Sequence, residues 1–375
     1  MSAPEASAVI ETGILRADTG ANIQKIPLAD GGEGTAQALT AAAGGVFITA
    51  SVTGPLGNTV ESGFGLIEEG RVAVLDLAAA SGLELLDRSQ LNPMKTGTYG
   101  TGELITAALD SGAKELIIGI GGSATNDGGI GMLGALGFKF LNKDGISITH
   151  NGSFLNGEAL AQIASIDCGN ADKRLKNVII KVACDVTNPL LGSNGASAVF
   201  GPQKGATPEM VKILDAGLAR LAEAWIKAGL ANNVEQPGDG AAGGAGAALR
   251  ICLNAVMESG AMLVMKHAGF FDHLADADLI ITGEGKTDSQ TAGGKLCSVV
   301  AREARKAGIP VALISGCLEG NIQSLFETYD YAVSIACGQN GLDAMIRDSK
   351  RDLAFAVENL IRAITMGKND RARRI

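Results

Sequence analysis

Asp278-Leu-Ile-Ile-Thr282, Val311-Ala-Leu-Ile-Ser315 and Tyr331-Ala-Val-Ser-Ile335 are short, continuous apolar runs separated by loops and helical stretches. Runs of this length without polar alternation suit strands covered on both faces, as in a parallel sheet. Between the first two lies a helical stretch over 294–307 that stops at Gly308 and Pro310, a normal helix end. The last third therefore reads strand, loop, helix, strand, short helix, strand, helix, the order of a doubly wound α/β sheet. Toward the N-terminus, Glu115–Ile120 and Val178–Ala183 are strands of the same kind. Residues Thr207–Ala228 form a helix opened by Thr-Pro-Glu, a cap, a first-turn proline and an acid near the positive helix end. Val46–Thr53 and Arg71–Asp76 read as strands around Gly54-Pro-Leu-Gly57 turn chemistry, which gives the middle a mixed α+β character. The layout that follows is an inserted central α/β domain over 46–269, with 1–45 and 270–375 together forming the doubly wound domain. Gln236–Ala248 reads either as a small-residue linker or as a close-packed helix start.

The bulk numbers narrow the function classes. There are 52 glycines in 375 residues, about twice the usual share of about 7%. With nine prolines and no Gly-X-Y period the chain is not collagen. A hydrophobic share of 46% with 19% charged residues excludes a disordered chain. A net charge of −9 argues against a nucleic-acid or anionic-membrane partner. No apolar run is long enough to span a bilayer, and the first residues lack the pattern of a secretory signal. Six cysteines without a C-x-x-C pair read as buried free thiols in a reducing cytoplasm.

The glycines concentrate in Gly-Gly loops with polar company: Asp30-Gly-Gly-Glu-Gly-Thr35, Gly121-Gly-Ser-Ala-Thr-Asn-Asp-Gly-Gly129, Asp239-Gly-Ala-Ala-Gly-Gly244 and Ala292-Gly-Gly-Lys295. At strand ends and helix starts, bare N–H groups of such loops can point at phosphate or carboxylate oxygens. Gly283-Glu-Gly-Lys-Thr287 mimics the end of a P-loop, but that motif's first glycine would fall at Ile280 inside a strand. Gly119-Ile-Gly-Gly-Ser-Ala124 mimics a dinucleotide fingerprint, with Asp144 about 20 residues on. The residues alone leave open a kinase of a small hydroxy acid, a dinucleotide-dependent oxidoreductase and a non-enzymatic binding protein.

Six segments taken together resemble bacterial glycerate kinase of the type 1 family. They are Leu28–Thr35, Gly97–Leu104, Gly119–Gly129, Ala183–Leu190, Phe200–Ala206 and Thr282–Lys295, and the resemblance runs in order from Ser2 to about Ile364. It implies a flavodoxin-like domain built from both chain ends, an inserted central domain and a site in the cleft between them. It also implies ATP-dependent phosphorylation of D-glycerate, giving 2-phosphoglycerate, with ATP and Mg²⁺ as the small-molecule partners and glycerate derived from glyoxylate or galactarate. The family begins with a strand and an Asp-Ser-Phe-Lys turn ahead of the helix that matches Ser2–Gly13. The expectation is that translation starts upstream of Met1.

Phosphoryl transfer needs donors around the γ-phosphate, a metal ion to neutralise charge and a group that positions or deprotonates the attacking hydroxyl. Gly31, Gly32, Gly121 and Gly122, with Ser123 and Thr125, suit phosphate or carboxylate oxygens. Lys295, Lys204 and Lys286 stand beside glycine loops, where a lysine is a natural phosphate ligand. Asp185 lies just beyond a strand's carboxyl end, where open α/β sheets place their sites. Asp30 and Asp127 are further candidates for the base, and Glu284 and Asp288 are oxygen donors for Mg²⁺. His150, His267 and His273 lie outside every glycine loop and read as structural or exposed, and Trp225 as core.

Overall fold

The computed structural model describes residues 1–26, 28, 34–148, 155–288, 296–338 and 341–372, the side chains of 367–372 excepted. In chain order the first elements are α1 (Ala3–Ala17), α2 (Thr35–Ala42), β1 (Val46–Thr53), β2 (Thr59–Ile67), β3 (Val72–Asp76) and the one-turn α3 (Ala78–Ser81). Then come α4 (Tyr99–Asp110), β4 (Glu115–Gly119), α5 (Ile130–Ala135), β5 (Lys139–Leu141), β6 (Ser165–Asp167) and β7 (Ile179–Ala183). Next are α6 (Ala196–Phe200), α7 (Pro208–Lys227), α8 (Ala245–Leu253), β8 (Val256–Glu258) and α9 (Gly260–His267). The chain closes with β9 (Ile280–Glu284), α10 (Leu296–Lys306), β10 (Val311–Ser315), β11 (Tyr331–Ser334) and α11 (Leu342–Ala372). The fold is α/β, in two compact units: Met1–Ala29 with Met265–Ile375, and Asp30–Val264.

The Asp30–Val264 unit is built on a six-stranded sheet of order β1-β2-β3-β4-β7-β8. The first three strands pair antiparallel, and β3, β4, β7 and β8 run parallel. Ala73, Leu75, Leu116, Ile118, Ile180 and Val182 join one buried cluster with Leu104 and Ile105 of α4, Leu133 of α5, Trp225 of α7 and Leu249 of α8. Val72, Val74 and Ile117 alternate to the opposite face and are equally buried. Both faces of β3 and β4 are thus covered, which is why their centres are unbroken apolar runs, whereas the second face of β7 carries Lys181, paired with Glu115 at 2.6 Å. Trp225 is core, as its helical setting suggests. On α7, Thr207 caps Met210 N and Pro208 takes the first turn.

One sequence reading changes here, and one left open is decided. Helix α2 lies within the 1–45 segment that the sequence layout places in the doubly wound domain, yet it packs on β1, β2 and β3. The chain allows this through Gly65, directly opposite Val74 on β3, where an added Cβ would stand 1.6 Å from Thr40 Oγ1 of α2. The stretch around Asp239 is no linker: Ala241–Gly244 is a buried turn feeding the buried start of α8. Its small side chains serve close packing.

In the unit of the two chain ends, a parallel sheet runs β11-β10-β9. Ala312 and Ile314 of the fully buried central strand face Val9 and Ile10 of α1 and Leu353 and Val357 of α11. Val311 and Leu313 face Cys297, Ala301 and Ala304 of α10. Helices therefore cover both faces, the doubly wound arrangement. Strand β9 sits two residues later than the apolar run suggests, because Ile280 is the residue in register with Val311. Helix α1 opens with a capping box between Ser2 and Glu5 and a first-turn proline. None of the six cysteines is in a disulfide, but only Cys297 is buried and Cys337 is exposed, which corrects the reading of a uniformly buried set. Among the described residues no helix is long and apolar enough to cross a membrane.

Gly65→Ala forces α2 away from the sheet and is expected to cost about 1–3 kcal/mol in urea unfolding. Thr40→Ala in the same chain, which removes the nearest clashing atom, should recover part of the loss. Wild-type stability in the single variant would show that α2 does not rest on β2 in this way.

Candidate active site

The parallel strands of the Asp30–Val264 unit end in register. Asp76 of β3, Gly119 of β4, Ala183 of β7 and Glu258 of β8 are successive cross-strand partners at the carboxyl edge. Open α/β sheets place ligands outside this edge. From Gly119 the chain enters the glycine loop, and from Ala183 it enters the turn that carries Asp185. Asp185 is exposed, and its Oδ1 accepts from Gly260 N, at the start of α9, at 3.1 Å. Asp76 is buried, and its Oδ2 accepts from Ala36 N in the first turn of α2 at 3.1 Å. It holds the start of α2 in place.

The glycine loop is fastened along its length. Leu83 N donates to Gly122 O and Ala124 N to Ser81 O, at 2.9 and 2.8 Å. Thr96 Oγ1 donates to Ala124 O at 2.9 Å, Asn126 Nδ2 to Ser197 Oγ at 3.0 Å and Gly128 N to Gly243 O at 3.0 Å. Gly121 and Gly122 are left exposed at the tip, and no described group accepts from their N–H groups. This is the arrangement that suits an anionic oxygen.

Asp127 is fully buried. Its Oδ2 accepts from Thr98 N, Thr98 Oγ1 and Gly131 N at 2.9, 2.8 and 3.2 Å, and its Oδ1 from Gly129 N at 3.0 Å. Burial pushes its carboxyl above the ordinary range, and the hydrogen bonds pull it back. A carboxylate so enclosed and so fully bonded holds the starts of α4 and α5; the structure gives it no open face toward a substrate hydroxyl. Lys204 and Thr125 are likewise buried instead of presented to solvent. Lys204 Nζ donates to Ser123 Oγ at 2.8 Å and to Thr125 O at 2.7 Å. Burial pushes its ammonium down to about 7, with Asp127 acting in the opposite sense. Asp239 is buried and paired bidentately with Arg250 at 2.8 and 2.7 Å.

At the carboxyl edge of the other sheet, Glu284, Ser315 and Ser334 stand side by side. Thr287 Oγ1 bonds Glu284 Oε1 at 2.9 Å and Ser315 Oγ at 3.0 Å. Glu284 at the end of β9 and Asp288 beyond it carry carboxylate oxygens, the ligand type that Mg²⁺ takes together with water and substrate phosphates. Among the described residues no group of three or more His, Cys, Asp or Glu converges. Lys286 is exposed and pairs with Glu319 at 2.9 Å, which holds its ammonium above the usual lysine range. Such a solvent-exposed pair contributes little, so the lysine can exchange partners.

Asp30, Gly31, Gly32, Lys295 and His150 lie outside the described residues. His267 is half-buried and His273 exposed. The dinucleotide reading fails on geometry: β4 ends at Gly119 and α5 begins only at Ile130, so the glycines do not open a helix on which a pyrophosphate would sit. Asp76 and Thr98 escaped the sequence reading. Asp76 had the same signal as Asp185, a carboxylate closing an apolar strand. Thr98 had none, since its role depends on a partner 29 residues away.

The buried lysine has a measurable consequence. An ordinary lysine titrates near about 10.4, so from about pH 7 to about pH 10 the unfolded chain holds a proton that the folded chain has released. Stability then rises with pH across this window. Relative to Lys204→Met, the wild-type protein should gain stability in urea unfolding between those limits. A flat or falling difference would mean that Lys204 is not buried.

The comparisons with known proteins agree with this geometry. The chain matches the model of the Glycerate kinase family over residues 1–365. It is 44% identical over 365 residues to a glycerate kinase of Haemophilus influenzae, covering 97% of this chain and 95% of the relative. It is 46% identical over 345 residues to a glycerate kinase of Bacillus subtilis, with 92% and 86% covered. A glycerate 2-kinase of Escherichia coli is 43% identical over 368 residues, with 98% and 95% covered. A crystal structure assigned to glycerate kinase 2 of Salmonella typhimurium LT2 superposes with a TM-score of 0.88 at 42% identity, covering 98% of this chain and 96% of that one. With its α/β architecture, its anion-ready glycine loop and relatives of this extent, the chain belongs to the glycerate kinase family of enzymes.

Proposed function

We propose that the protein transfers the γ-phosphoryl group of ATP to the 2-hydroxyl of D-glycerate, giving 2-phosphoglycerate and ADP. One observation carries the reading at the level of the site. The exposed Gly121-Gly122 tip, with two N–H groups given to no described acceptor, leaves β4 beside the strand that delivers the exposed Asp185. An anion donor and a carboxylate thus stand at neighbouring strand ends. The position of the transferred phosphate is supported by the relative named glycerate 2-kinase, at 43% identity.

In this reading Asp185 takes the proton of the substrate hydroxyl. The hydroxyl oxygen forms its bond to the γ-phosphorus as the bridging bond to ADP breaks, and ADP leaves with the electron pair. The N–H groups of Gly121 and Gly122 meet anionic oxygens in a fixed geometry that needs no rearrangement during transfer. Lys286 and Lys295 hold phosphate oxygens, and Glu284 and Asp288 hold Mg²⁺. When bound, the ion neutralises charge on the phosphates. Asp30, beside Gly31 and Gly32, is a second group for the substrate hydroxyl, assigned with Lys295 on its sequence setting alone. Asp127 serves as a positioning residue.

ADP release measured with D-glycerate and Mg·ATP tests the reaction, and proton-coupled phosphorus NMR of the product tests the position. A 2-phosphate couples to one proton and a 3-phosphate to two. Asp185→Asn and Lys295→Ala should each lower turnover at least tenfold, about 1.4 kcal/mol, with the circular dichroism spectrum unchanged. Wild-type turnover in both variants would refute these roles, and absence of ADP release would refute the reaction.

A further inference from the structure

The glycine loop carries a side chain whose hydrogen bonding is set from behind. Ser123 follows the exposed Gly121-Gly122 tip and is 6% exposed. Its backbone is pinned on both sides by the bonds from Leu83 N to Gly122 O and from Ala124 N to Ser81 O. Its hydroxyl oxygen accepts from Lys204 Nζ at 2.8 Å, and the same ammonium donates to Thr125 O at 2.7 Å. Lys204 is 1% exposed and reaches the loop from the turn just before α7.

A hydroxyl has one hydrogen and two lone pairs. With one lone pair engaged by Lys204, the hydrogen points elsewhere, and no described group receives it. We infer that Lys204 is a positioning residue that turns the Ser123 hydroxyl outward as a hydrogen-bond donor to an anionic substrate oxygen, beside the N–H groups of Gly121 and Gly122.

This rests on the proposed kinase reading and goes further. Lys204 then acts through Ser123 and is not itself a phosphate ligand, the role its place beside a glycine loop suggests. Its burial supports the assignment, because a lysine enclosed at this depth next to Asp127 is held to one geometry. The anionic oxygen has two possible sources, a phosphate of ATP or the carboxylate of glycerate, and kinetics separates them.

The test uses Ser123→Ala, Lys204→Met and the double variant of the full chain, with ATP and D-glycerate titrated separately. Each single variant should lose at least tenfold in kcat/KM, and both in the same substrate's titration. The double variant should fall no more than about threefold below the weaker single one, because the two residues act as one unit. A loss in the ATP titration identifies phosphate as the acceptor, and a loss in the glycerate titration identifies the carboxylate. Multiplicative losses, or losses in different titrations, overturn the inference, since independent structural damage would give these. If Lys204→Met does not fold, Ser123→Ala carries the test, because it removes one hydroxyl and keeps the lysine. Wild-type kinetics in folded Ser123→Ala overturns the inference alone. A wild-type protein without ADP release overturns the kinase reading and this inference with it.

Discussion

The Asp127 carboxylate is the fixed point around which the glycine loop is built. It is buried and accepts four hydrogen bonds, two from Thr98 at the start of α4 and two from Gly129 and Gly131 at the start of α5. A buried carboxylate without donors would be strongly disfavoured, so the two helix starts and the acid must form together. Thr98 Oγ1 closes the arrangement by accepting from Met132 N at 2.9 Å. The helix starts meet this closely because Gly131 has no side chain: a Cβ there would stand 2.8 Å from Thr98 N and from Tyr99 N.

From that point the constraint spreads outward. Lys204, which senses the charge of Asp127, holds Ser123 and Thr125. Glu103 of α4 accepts from Thr53 N at 2.6 Å and ties the helix to the end of β1. The carboxyl ends of β3, β4 and β7 are then held in register, with Asp76, the glycine tip and Asp185 following from successive strands. Rigid support of this kind lets backbone N–H groups meet a charge without reorganising.

Much of this was legible in the chain. Val311–Ser315 reads as a strand with the bounds it has, since a strand buried on both faces must be continuously apolar. The carboxylate after β7 was legible because an Asp beyond an apolar run marks a strand end. Less legible were the roles of Asp127 and Lys204. Both stand beside glycines, as ligand-binding groups do, and nothing local tells an acid or a lysine aimed inward from one aimed at a substrate. The placement of α2 was equally hidden, because the close approach that admits it depends on Gly65, on a strand more than twenty residues later.

Local patterning along the chain specifies the α/β class, most of the strands and helices, the concentration of polar Gly-Gly loops and the resemblance to glycerate kinases. These are properties of local periodicity, turn chemistry and motif order, which need no knowledge of partners. Which polar groups face inward follows only from the assembled fold. Burial and hydrogen bonding depend on residues far apart in the chain: Asp127 on Thr98, Ser123 on Lys204 and Ala36 on Asp76. The same residue types that would bind an anion on the surface become, once enclosed, the supports that hold the glycine backbone at the carboxyl edge of the sheet.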